Sequence, residues 1–424
     1  MRVALAVEGT RGDVFPMLAL GERLTAGGHE VLVCAPPDFE AAARARGLEF
    51  HAVGVAVRSY LVEHAHVLTR GGISMVAEGT RYSRRCIDQQ LAALPRAFEG
   101  VDFAFGAGVQ LGAATAAEAR GIPYRYVAYC PALLPSSHHA PFTLERQDLA
   151  PWANRLAWRL SRLGMNAALR PPVNRARRGL GLPPVGDVVV HMLTDRPILA
   201  ADRELAPAPP ESAARLDQVP CLHPFEPEPL PDKLASFLDA GPPPVYLGFG
   251  SMTDPDPATT TARLLRAIRS LGLRAVIARG WAGLGEGPVP DGVFVTDPVS
   301  HAALFPRMAA VVHHGGAGTT TTAARAGVPQ VLVPHVLDQF YWAKRVQELG
   351  LGPPAVARRG LSAESLAGAI AQTVDAEVCA ERASELGAAL RARAEGWQGV
   401  DALLSPPCEA PRPQTPPRLD RGEP

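Results

Sequence analysis

Apolar residues recur in short runs, and segments with helical periodicity separate these runs. A run of four to seven apolar residues predicts a buried strand, and an amphipathic segment of ten or more predicts a helix. Strands that alternate with helices through short glycine-bearing turns are typical of a doubly wound parallel α/β sheet. In the first half of the chain the predicted strands are residues 3–7, 31–35, 50–53, 101–105 and 124–128, and the predicted helices are 15–26, 39–46 and 112–120.

The same alternation returns in the second half, after a segment at residues 206–244 that holds eleven prolines and no clear periodicity. Such a segment is typical of an interdomain linker. The pattern therefore predicts two Rossmann-like doubly wound α/β domains facing across a cleft, with ligands at the carboxyl ends of the strands. The later predicted strands are 245–248, 275–278, 293–296, 310–313 and 330–334, and the predicted helices are 259–271, 339–349, 362–374 and 380–395.

We expect a first domain at residues 1–205 and a second domain at 245–385. Two long stretches, 55–96 and 130–178, interrupt the first domain. Long irregular or helical insertions on a regular scaffold commonly carry substrate contacts, but a Trp or Met at helical spacing more often packs in the core. Residues 405–424 contain seven prolines and are predicted to be a disordered tail.

Composition limits the kinds of partner. The 424 residues are 47% hydrophobic with a formal net charge of zero, so the charge balance gives no reason to expect a nucleic-acid or anionic-membrane partner. Six scattered cysteines without a C-x-x-C pair predict reduced thiols in a cytoplasmic protein. No apolar run reaches the roughly 18 residues of a membrane span, so no integral membrane association is expected.

Candidate chemistry concentrates at residues 311–322, where a short apolar run meets two histidines, three glycines and four threonines. A glycine turn between a strand and a helix lets backbone N–H groups approach an anion. The helix start adds unpaired N–H groups and the positive end of the helix dipole. This arrangement predicts a phosphate or diphosphate site; the alternative is an ordinary tight connection, with His313 as a satisfied core residue.

These residues resemble a known family. His314-Gly315-Gly316-Ala317-Gly318-Thr319, followed by Ala326-Gly327-Val328-Pro329-Gln330 and Pro334-His335-Val336-Leu337-Asp338-Gln339, is similar to the donor-binding signature of family 1 glycosyltransferases. Glu8-Gly9-Thr10-Arg11-Gly12-Asp13-Val14 resembles the amino-terminal loop of the bacterial antibiotic enzymes and the sterol glucosyltransferases in that family.

The resemblance implies a GT-B fold with donor and acceptor sites in different domains, and a helix at residues 386–404 that packs back on the first domain. It also implies an inverting, metal-independent transferase, and no acidic D-x-D pair precedes the glycine turn. No cofactor is implied. The implied donor residues are His314, Gly316, Gly318, Thr319, Ser251 and Arg11 for the diphosphate, Trp281 and Val299 for the base, and Asp338 and Gln339 for the sugar.

Asp13 is the candidate base. The resemblance places an acidic residue here, and a carboxylate with an ordinary pKa near 3.9 would be ionised at neutral pH and could deprotonate an acceptor hydroxyl. The alternatives are that Asp13 caps the following helix or pairs with Arg11.

The expected partners are a nucleotide-sugar donor and an apolar small-molecule acceptor, bound by a monomer or weak homodimer. Thr322 replaces the glutamate that grips ribose hydroxyls in plant-type members, which leaves both UDP- and dTDP-sugars open. Two other functions remain open: a nucleotide-sugar epimerase of the same architecture, and a catalytically silent nucleotide-sugar-binding protein. The candidate acceptor residues are Tyr60, Met75, His138, His139 and Phe142.

Overall fold

The computed structural model describes residues 1–64, 72–222, 228–395 and 399–404, without the side chains of residues 72–75 and 395. Two parallel sheets organise this part of the chain, which confirms the predicted pair of doubly wound α/β units. The first sheet has the strand order β3-β2-β1-β4-β5-β6-β7. Its strands are β1 Arg2–Glu8, β2 Glu30–Ala35, β3 Glu49–Ala52, β4 Phe103–Gly108, β5 Tyr124–Ala128, β6 Ile198–Ala200 and β7 Asp217–Val219.

The second sheet has five strands in the order β10-β9-β8-β11-β12, which repeats the connectivity of the first five strands of the other sheet. We call the part of the chain built on the first sheet the first lobe and the part built on the second sheet the second lobe. The strands of the second lobe are β8 Val245–Gly248, β9 Ala275–Ala278, β10 Val293–Thr296, β11 Ala310–His313 and β12 Gln330–Leu332.

Helices cover the faces of both sheets, as apolar side chains on both faces of a parallel strand require. In the first lobe they are Arg11–Ala26, Glu40–Arg44, Val57–Glu63, Gly72–Ala97, Ala113–Arg120, Pro151–Gly179 and Val188–Leu193. The remaining helices are Asp232–Asp239, Pro257–Leu271, His301–Leu304, Ala317–Ala326, Gln339–Glu348, Ala363–Val374 and Glu377–Glu395.

The strand order fixes where loops converge. In each sheet the order reverses between two adjacent strands, β1 and β4 in the first lobe and β8 and β11 in the second. Their carboxyl ends lie side by side, with Glu8 level with Gly108 and Gly248 level with His313. Loops that leave adjacent strands in opposite directions open a crevice at this point, so both lobes present a ligand site to the space between them.

The two long stretches that interrupt the first lobe are largely helical, and the proline-rich segment holds more regular structure than a linker was expected to have. Most of residues 72–97 and 151–179 forms two long helices, although the second contains Pro171 and Pro172. The proline-rich segment 206–244 contributes β7 to the first sheet and a helix at Asp232–Asp239. That helix buries Leu234 and Leu238, one turn apart, beneath the second sheet.

The end of the described chain returns to the first lobe. The helix Glu377–Glu395 ends well before residue 404, and its Arg393 pairs with Glu204 at 2.7 Å. A short 3-10 turn at Asp401–Leu404 then lies against the first lobe, where Arg125 donates to the Leu403 carbonyl at 3.2 Å. The predicted tail at residues 405–424 lies outside the described residues.

Polar contacts also join the two lobes. Arg325 Nη2 lies 2.8 Å from Asp202 Oδ1, and Lys344 Nζ donates to the Gln147 carbonyl at 2.7 Å. Within the described residues, no helix combines the length and the apolar character needed to cross a membrane.

Candidate active site

A cleft of about 2900 Å³ separates the two lobes, and loops from both sheets line it. The first lobe contributes residues 9–13 after β1 and Gly108 after β4. The second lobe contributes Gly250 and Ser251 after β8 and His314 after β11. Both switch points of the fold therefore open into one cavity.

His313 shapes the glycine turn and has a structural role. It is fully buried, its Nδ1 accepts the N–H of Gly315 at 3.1 Å, and its Nε2 lies 2.9 Å from Gln330 Oε1. Because Nδ1 accepts, Nε2 must carry the proton that bonds to Gln330. Burial lowers the pKa of His313 to about 4, so the ring stays neutral and holds the turn. The alternative role stated for His313, a satisfied core histidine, is confirmed.

The helix after the turn begins at Ala317, two residues earlier than the threonine run suggested, so Gly318 and Thr319 lie in its first turn. Gly316 is the N-cap and no side chain caps the helix, which leaves the first N–H groups facing the cleft without a helical partner. A Cβ on Gly318 would meet nothing within 4 Å, so the backbone there is open to a ligand. These are the features of an anion site at a helix start.

His314 lies between the two glycine turns of the second lobe. A Cβ on Gly316 would come within 2.6 Å of its Nε2, and a Cβ on Gly250 within 2.9 Å of its Cε1. The two glycines thus allow the imidazole to pack against backbone. Burial, with nearby His313, His335 and His301, holds the pKa of His314 well below its ordinary value. The neutral ring can donate one hydrogen bond, and its Nδ1 has no partner among the described residues.

The second glycine turn places Ser251 and Trp281 at the cleft. Gly250 has a φ of 60°, and its carbonyl accepts the N–H of Trp281 at 3.0 Å, which ties the turn after β8 to the loop after β9. Ser251 is buried at the cleft wall. The Trp281 ring is partly exposed and packs against the apolar core of the first lobe, while Val299 lines the cleft nearby.

Asp13 lies in the first turn of a helix that begins at Arg11, so its predicted place in a loop is wrong. Its Oδ2 accepts the N–H of Thr10 at 2.8 Å, and together they form a capping box. Gly9, with a φ of 148°, gives the carboxyl group room, because a Cβ there would lie 2.2 Å from Oδ2. The capping role stated as an alternative is therefore present, and Asp13 also lines the cleft.

The expectation that Asp13 is fully ionised at neutral pH is wrong. Burial, with a smaller contribution from the Asp338 carboxyl, raises its pKa to about 7 against the lowering effect of the bonds from Thr10. About half of the carboxyl groups are then ionised near pH 7, which suits a general base better than an ordinary carboxylate does.

Asp338 approaches from the second lobe, directly before the helix Gln339–Glu348. Its Oδ2 accepts the indole N–H of Trp342 at 3.1 Å, and burial raises its pKa to about 6. Gln339 is buried, and its Oε1 accepts the N–H groups of His335 at 2.7 Å and Val336 at 3.0 Å. Its amide oxygen thus supports the loop before the helix, and both residues line the cleft.

Arg11 lines the cleft without pairing to Asp13 in the described chain. Its guanidinium lies 4.7 Å from the centre of the Phe15 ring, and Arg46 approaches the same ring at 5.4 Å. Burial and the neighbouring Arg46 lower the pKa of Arg11, so the site would gain from a nearby anion.

The structure brings only some of the candidate acceptor residues to the cleft. Tyr60 and Phe142 line it. His138 is exposed elsewhere, and His139 is buried against Trp158 and Tyr341 at ring distances of 6.1 and 5.4 Å. The residues 138 and 139 therefore do not form the cleft wall. The Met75 side chain lies outside the described part of the structure.

Sequence reasoning missed two features of this site. Glu8 at the end of β1 is fully buried, and its Oε1 accepts the Tyr82 hydroxyl at 2.7 Å. Burial raises the pKa of Glu8 to about 7. The inner face of the helix Pro151–Gly179 also lines the cleft, through Trp158, Met165 and Leu169. The sequence signal that could have identified Glu8 is an acidic residue at the end of an apolar strand. The helix Pro151–Gly179 gave a weaker signal, because its hydrophobic periodicity is interrupted.

Comparisons with known proteins agree with this geometry. Residues 3–134 match the model for the glycosyltransferase family 28 N-terminal domain. Residues 266–397 match the model for the erythromycin biosynthesis protein CIII-like, C-terminal domain. The first match includes the loops after β1 and β4, and the second includes β11 and the glycine turn that follows it.

Whole-chain relatives are more informative. The glycosyltransferase GtfE of Amycolatopsis orientalis is 39% identical over 83% of this chain and 85% of its own length. The vancomycin aglycone glucosyltransferase of the same organism is 38% identical with the same coverage. The solved structure of the glycosyltransferase of kitacinnamycin superposes with a TM-score of 0.70 at 20% identity, over 95% of this chain and 97% of that one.

Two facing α/β lobes of this topology have the GT-B fold. The chain belongs to family 1 of the glycosyltransferases, as its antibiotic-type loops indicated.

Proposed function

We propose that the protein is an inverting glycosyltransferase that moves a sugar from a UDP- or dTDP-sugar to a hydroxyl group of an apolar natural product. The observation that carries this proposal is the position of Asp13 on one wall of the cleft and of His314 with the unpaired helix start on the other. A base and a diphosphate site in one cavity are what single-displacement glycosyl transfer needs.

In this reaction the acceptor hydroxyl gives its proton to the Asp13 carboxylate. The acceptor oxygen forms a bond to the anomeric carbon on the face opposite the diphosphate. The bond from that carbon to the diphosphate oxygen breaks, and the diphosphate leaves with the electron pair. The charge that develops there is stabilised by the first N–H groups of the helix Ala317–Ala326 and by the neutral His314, without a metal ion.

The other donor contacts follow from their places on the second lobe. Ser251, Thr319 and the backbone at Gly316 and Gly318 surround the diphosphate, with Arg11 supplying charge from the first lobe. Trp281 and Val299 flank the nucleotide base. Asp338 and Gln339 bond to sugar hydroxyls. The Gln339 oxygen holds the loop and its amide nitrogen donates one N–H to Met252 Sδ at 3.4 Å, which leaves its second N–H for the sugar.

The acceptor lies on the first-lobe side of the cleft, against Tyr60, Phe142 and the inner face of the helix Pro151–Gly179. The vancomycin aglycone relative acts on a natural product, and a largely apolar wall suits an acceptor of that class. All five cysteines in the described chain are free thiols, which favours a cytoplasmic location.

The test is acceptor-dependent release of free nucleotide diphosphate. Purified protein is incubated with UDP- and dTDP-sugars, with and without polyketide, peptide, sterol and phenol acceptors, and products are followed by mass spectrometry. A transferase releases the diphosphate only with an acceptor and also does so in EDTA. Conversion of the donor sugar without any acceptor would instead identify an epimerase, and binding without turnover across the panel would identify a silent binding protein.

A further inference from the structure

The outer face of the helix Pro151–Gly179 carries an exposed apolar stripe. Trp152 is 66% exposed, Leu156 47%, Leu160 59% and Leu163 66%. At 100° per residue these four side chains fall within an arc of about 80° and extend for about 16 Å along the helix. An aligned row of large apolar residues, unlike single exposed ones, indicates an interaction surface.

The charge beside this stripe has a single sign. Residues 151–186 contain seven arginines and no aspartate or glutamate. Arg155 and Arg159 are exposed along one edge of the stripe and form no ion pair with any residue that the structure describes. Arg162 on the same edge bonds to Asp187, and Arg177 lies on the buried face, where it pairs with Glu118.

The opposite face of the same helix belongs to the cleft. Trp158, Met165 and Leu169 project inward and line the cavity. Leu144, 38% exposed on the preceding loop, also lines it. The apolar stripe and the acceptor side of the cleft are thus two faces of one element.

We propose that the outer face of this helix is a docking surface for an anionic lipid membrane. A helix that presents tryptophan and leucine to one side, with arginines beside them, inserts its apolar side chains at the level of the lipid headgroups while the guanidinium groups bind anionic phosphates. Arg155 and Arg159 select an anionic surface, because neither pairs with a carboxylate that the structure describes, whereas Asp187 offsets Arg162.

The zero net charge of the whole chain does not contradict this docking surface. Attraction to a charged surface acts within about 10 Å at ordinary ionic strength, so the local patch decides and distant charges are screened. Docking in this orientation holds the acceptor side of the cleft one helix diameter, roughly 10 Å, from the lipid surface. Membrane docking is a separate property from the proposed reaction, so it can be tested without measuring enzyme turnover.

The test is vesicle flotation of the full chain with two compositions, phosphatidylcholine alone and phosphatidylcholine mixed with phosphatidylglycerol. We expect the protein to float with the anionic vesicles and not with the neutral ones. The double variant L160E/L163E should lower the apparent partition coefficient at least about tenfold, and R155Q/R159Q should reduce the preference for anionic lipid.

The control is Val378→Glu, at another exposed apolar side chain, 58% exposed, on the helix Glu377–Glu395. It should float as the unchanged protein does, and all variants should keep the same melting temperature. Absence of flotation by the unchanged protein, or flotation that survives L160E/L163E, would overturn the proposal. Self-association that L160E/L163E abolishes, with no vesicle binding, would also overturn it and identify a protein interface instead.

Discussion

The two lobes share the order of five strands, but burial shifts the pKa values of their carboxyl groups and histidines in opposite directions. On the first lobe, burial raises the pKa values of Glu8 and Asp13 to about 7. On the second lobe, burial lowers those of His301, His313 and His335 to about 4. In each case the protein favours the neutral form of a group withdrawn from water, but the two carboxyl groups then titrate near neutral pH and the histidines well below it.

This difference separates the chemistry by lobe. Around pH 7 the histidines of the second lobe are already neutral, so its anion site consists of fixed dipoles that do not titrate. Asp338 is the exception there, with a pKa raised to about 6. Asp13 changes charge in the physiological range, so we expect the first lobe to set the pH dependence of turnover and the second lobe to set donor affinity.

The largest expected effect is that of Asp13→Asn. Asparagine keeps an oxygen for the Thr10 N–H but cannot take a proton, so turnover on an alcohol acceptor should fall by roughly 10²–10⁴-fold. Because protonation inactivates the base, the rate of the unchanged enzyme should fall as pH drops through about 7, and the variant should lose this limb. Steady-state kinetics between about pH 5.5 and 9 measure both.

A phenol acceptor sharpens this test. With a pKa near 10, part of it is ionised at mildly alkaline pH, so raising the pH should restore the variant on phenols and not on alcohols. Asp102→Asn is the matched control, because Asp102 also accepts a backbone N–H, that of Arg2 at 2.7 Å, and neither residue lines the cleft. Near-normal turnover of Asp13→Asn on its best acceptor would remove Asp13 as the base.

Glu8→Gln isolates the buried carboxyl group. The pKa of Glu8 is about 7 in the folded protein against 4.5 in its ordinary state, so the folded state binds this proton more tightly. Its contribution to stability is present below about pH 4.5 and is lost as pH rises to about 7. Glutamine does not titrate. As the pH rises across that window, the free energy of unfolding of the variant should therefore increase relative to that of the unchanged protein, by up to about 3 kcal/mol.

Chemical denaturation at several pH values measures this difference. Glu63→Gln, at an exposed position of the same lobe, is the control. A difference between Glu8→Gln and the unchanged protein that stays constant from about pH 5 to 8 would show that Glu8 does not titrate in this window.

His314→Ala tests the second lobe. Loss of a hydrogen bond to a charged group costs about 1.5–3 kcal/mol, so the nucleotide diphosphate should bind roughly 10- to 100-fold more weakly. Because the ring is neutral throughout, the loss should be the same at pH 6 and pH 8, in contrast to the effect of Asp13→Asn. Calorimetry with the diphosphate gives the dissociation constant, and the exposed His138→Ala serves as the matched control.

Unchanged diphosphate affinity in His314→Ala would refute its donor role. A loss of affinity at only one of the two pH values would instead show that a group in the anion site of the second lobe titrates between them.

The two lobes also differ in how far the sequence predicted them. The turn around His314 was predictable because strand, glycines and helix start follow one another in the chain, so local patterns carry the site. The shifted pKa values of Asp13 and Glu8 were not, because burial by segments far apart in the chain sets them. Asp338 adds to the raised pKa of Asp13, and the bond from the Tyr82 hydroxyl lowers that of Glu8. A site formed by consecutive residues can be predicted from the local sequence, whereas a pKa depends on the side chains that folding brings together from distant segments.

Contacts between distant segments also decide which of the candidate acceptor residues line the cleft. His139 and Phe142 lie three residues apart, and only Phe142 lines the cleft. Which side chain faces the cavity depends on the packing of the helix Pro151–Gly179, since the Trp158 indole N–H donates to the His139 carbonyl at 3.0 Å and fixes that segment. Without a regular period, residue type alone could not separate the two.

The smallest expected effect is that of Phe142→Ala, which tests whether the first lobe binds the acceptor through apolar area. Phe142 is partly buried, and its backbone N–H already bonds to the Ala132 carbonyl at 3.0 Å, so truncation of the ring should leave the loop in place. Removing part of an apolar wall should cost about 1 kcal/mol, which raises the KM for an apolar acceptor roughly fivefold. Diphosphate affinity should not change, which is the converse of His314→Ala. If Phe142 serves only packing, the melting temperature will fall while the acceptor KM stays the same, and the division of labour between the lobes will need another acceptor wall, with Tyr60 the next residue to truncate.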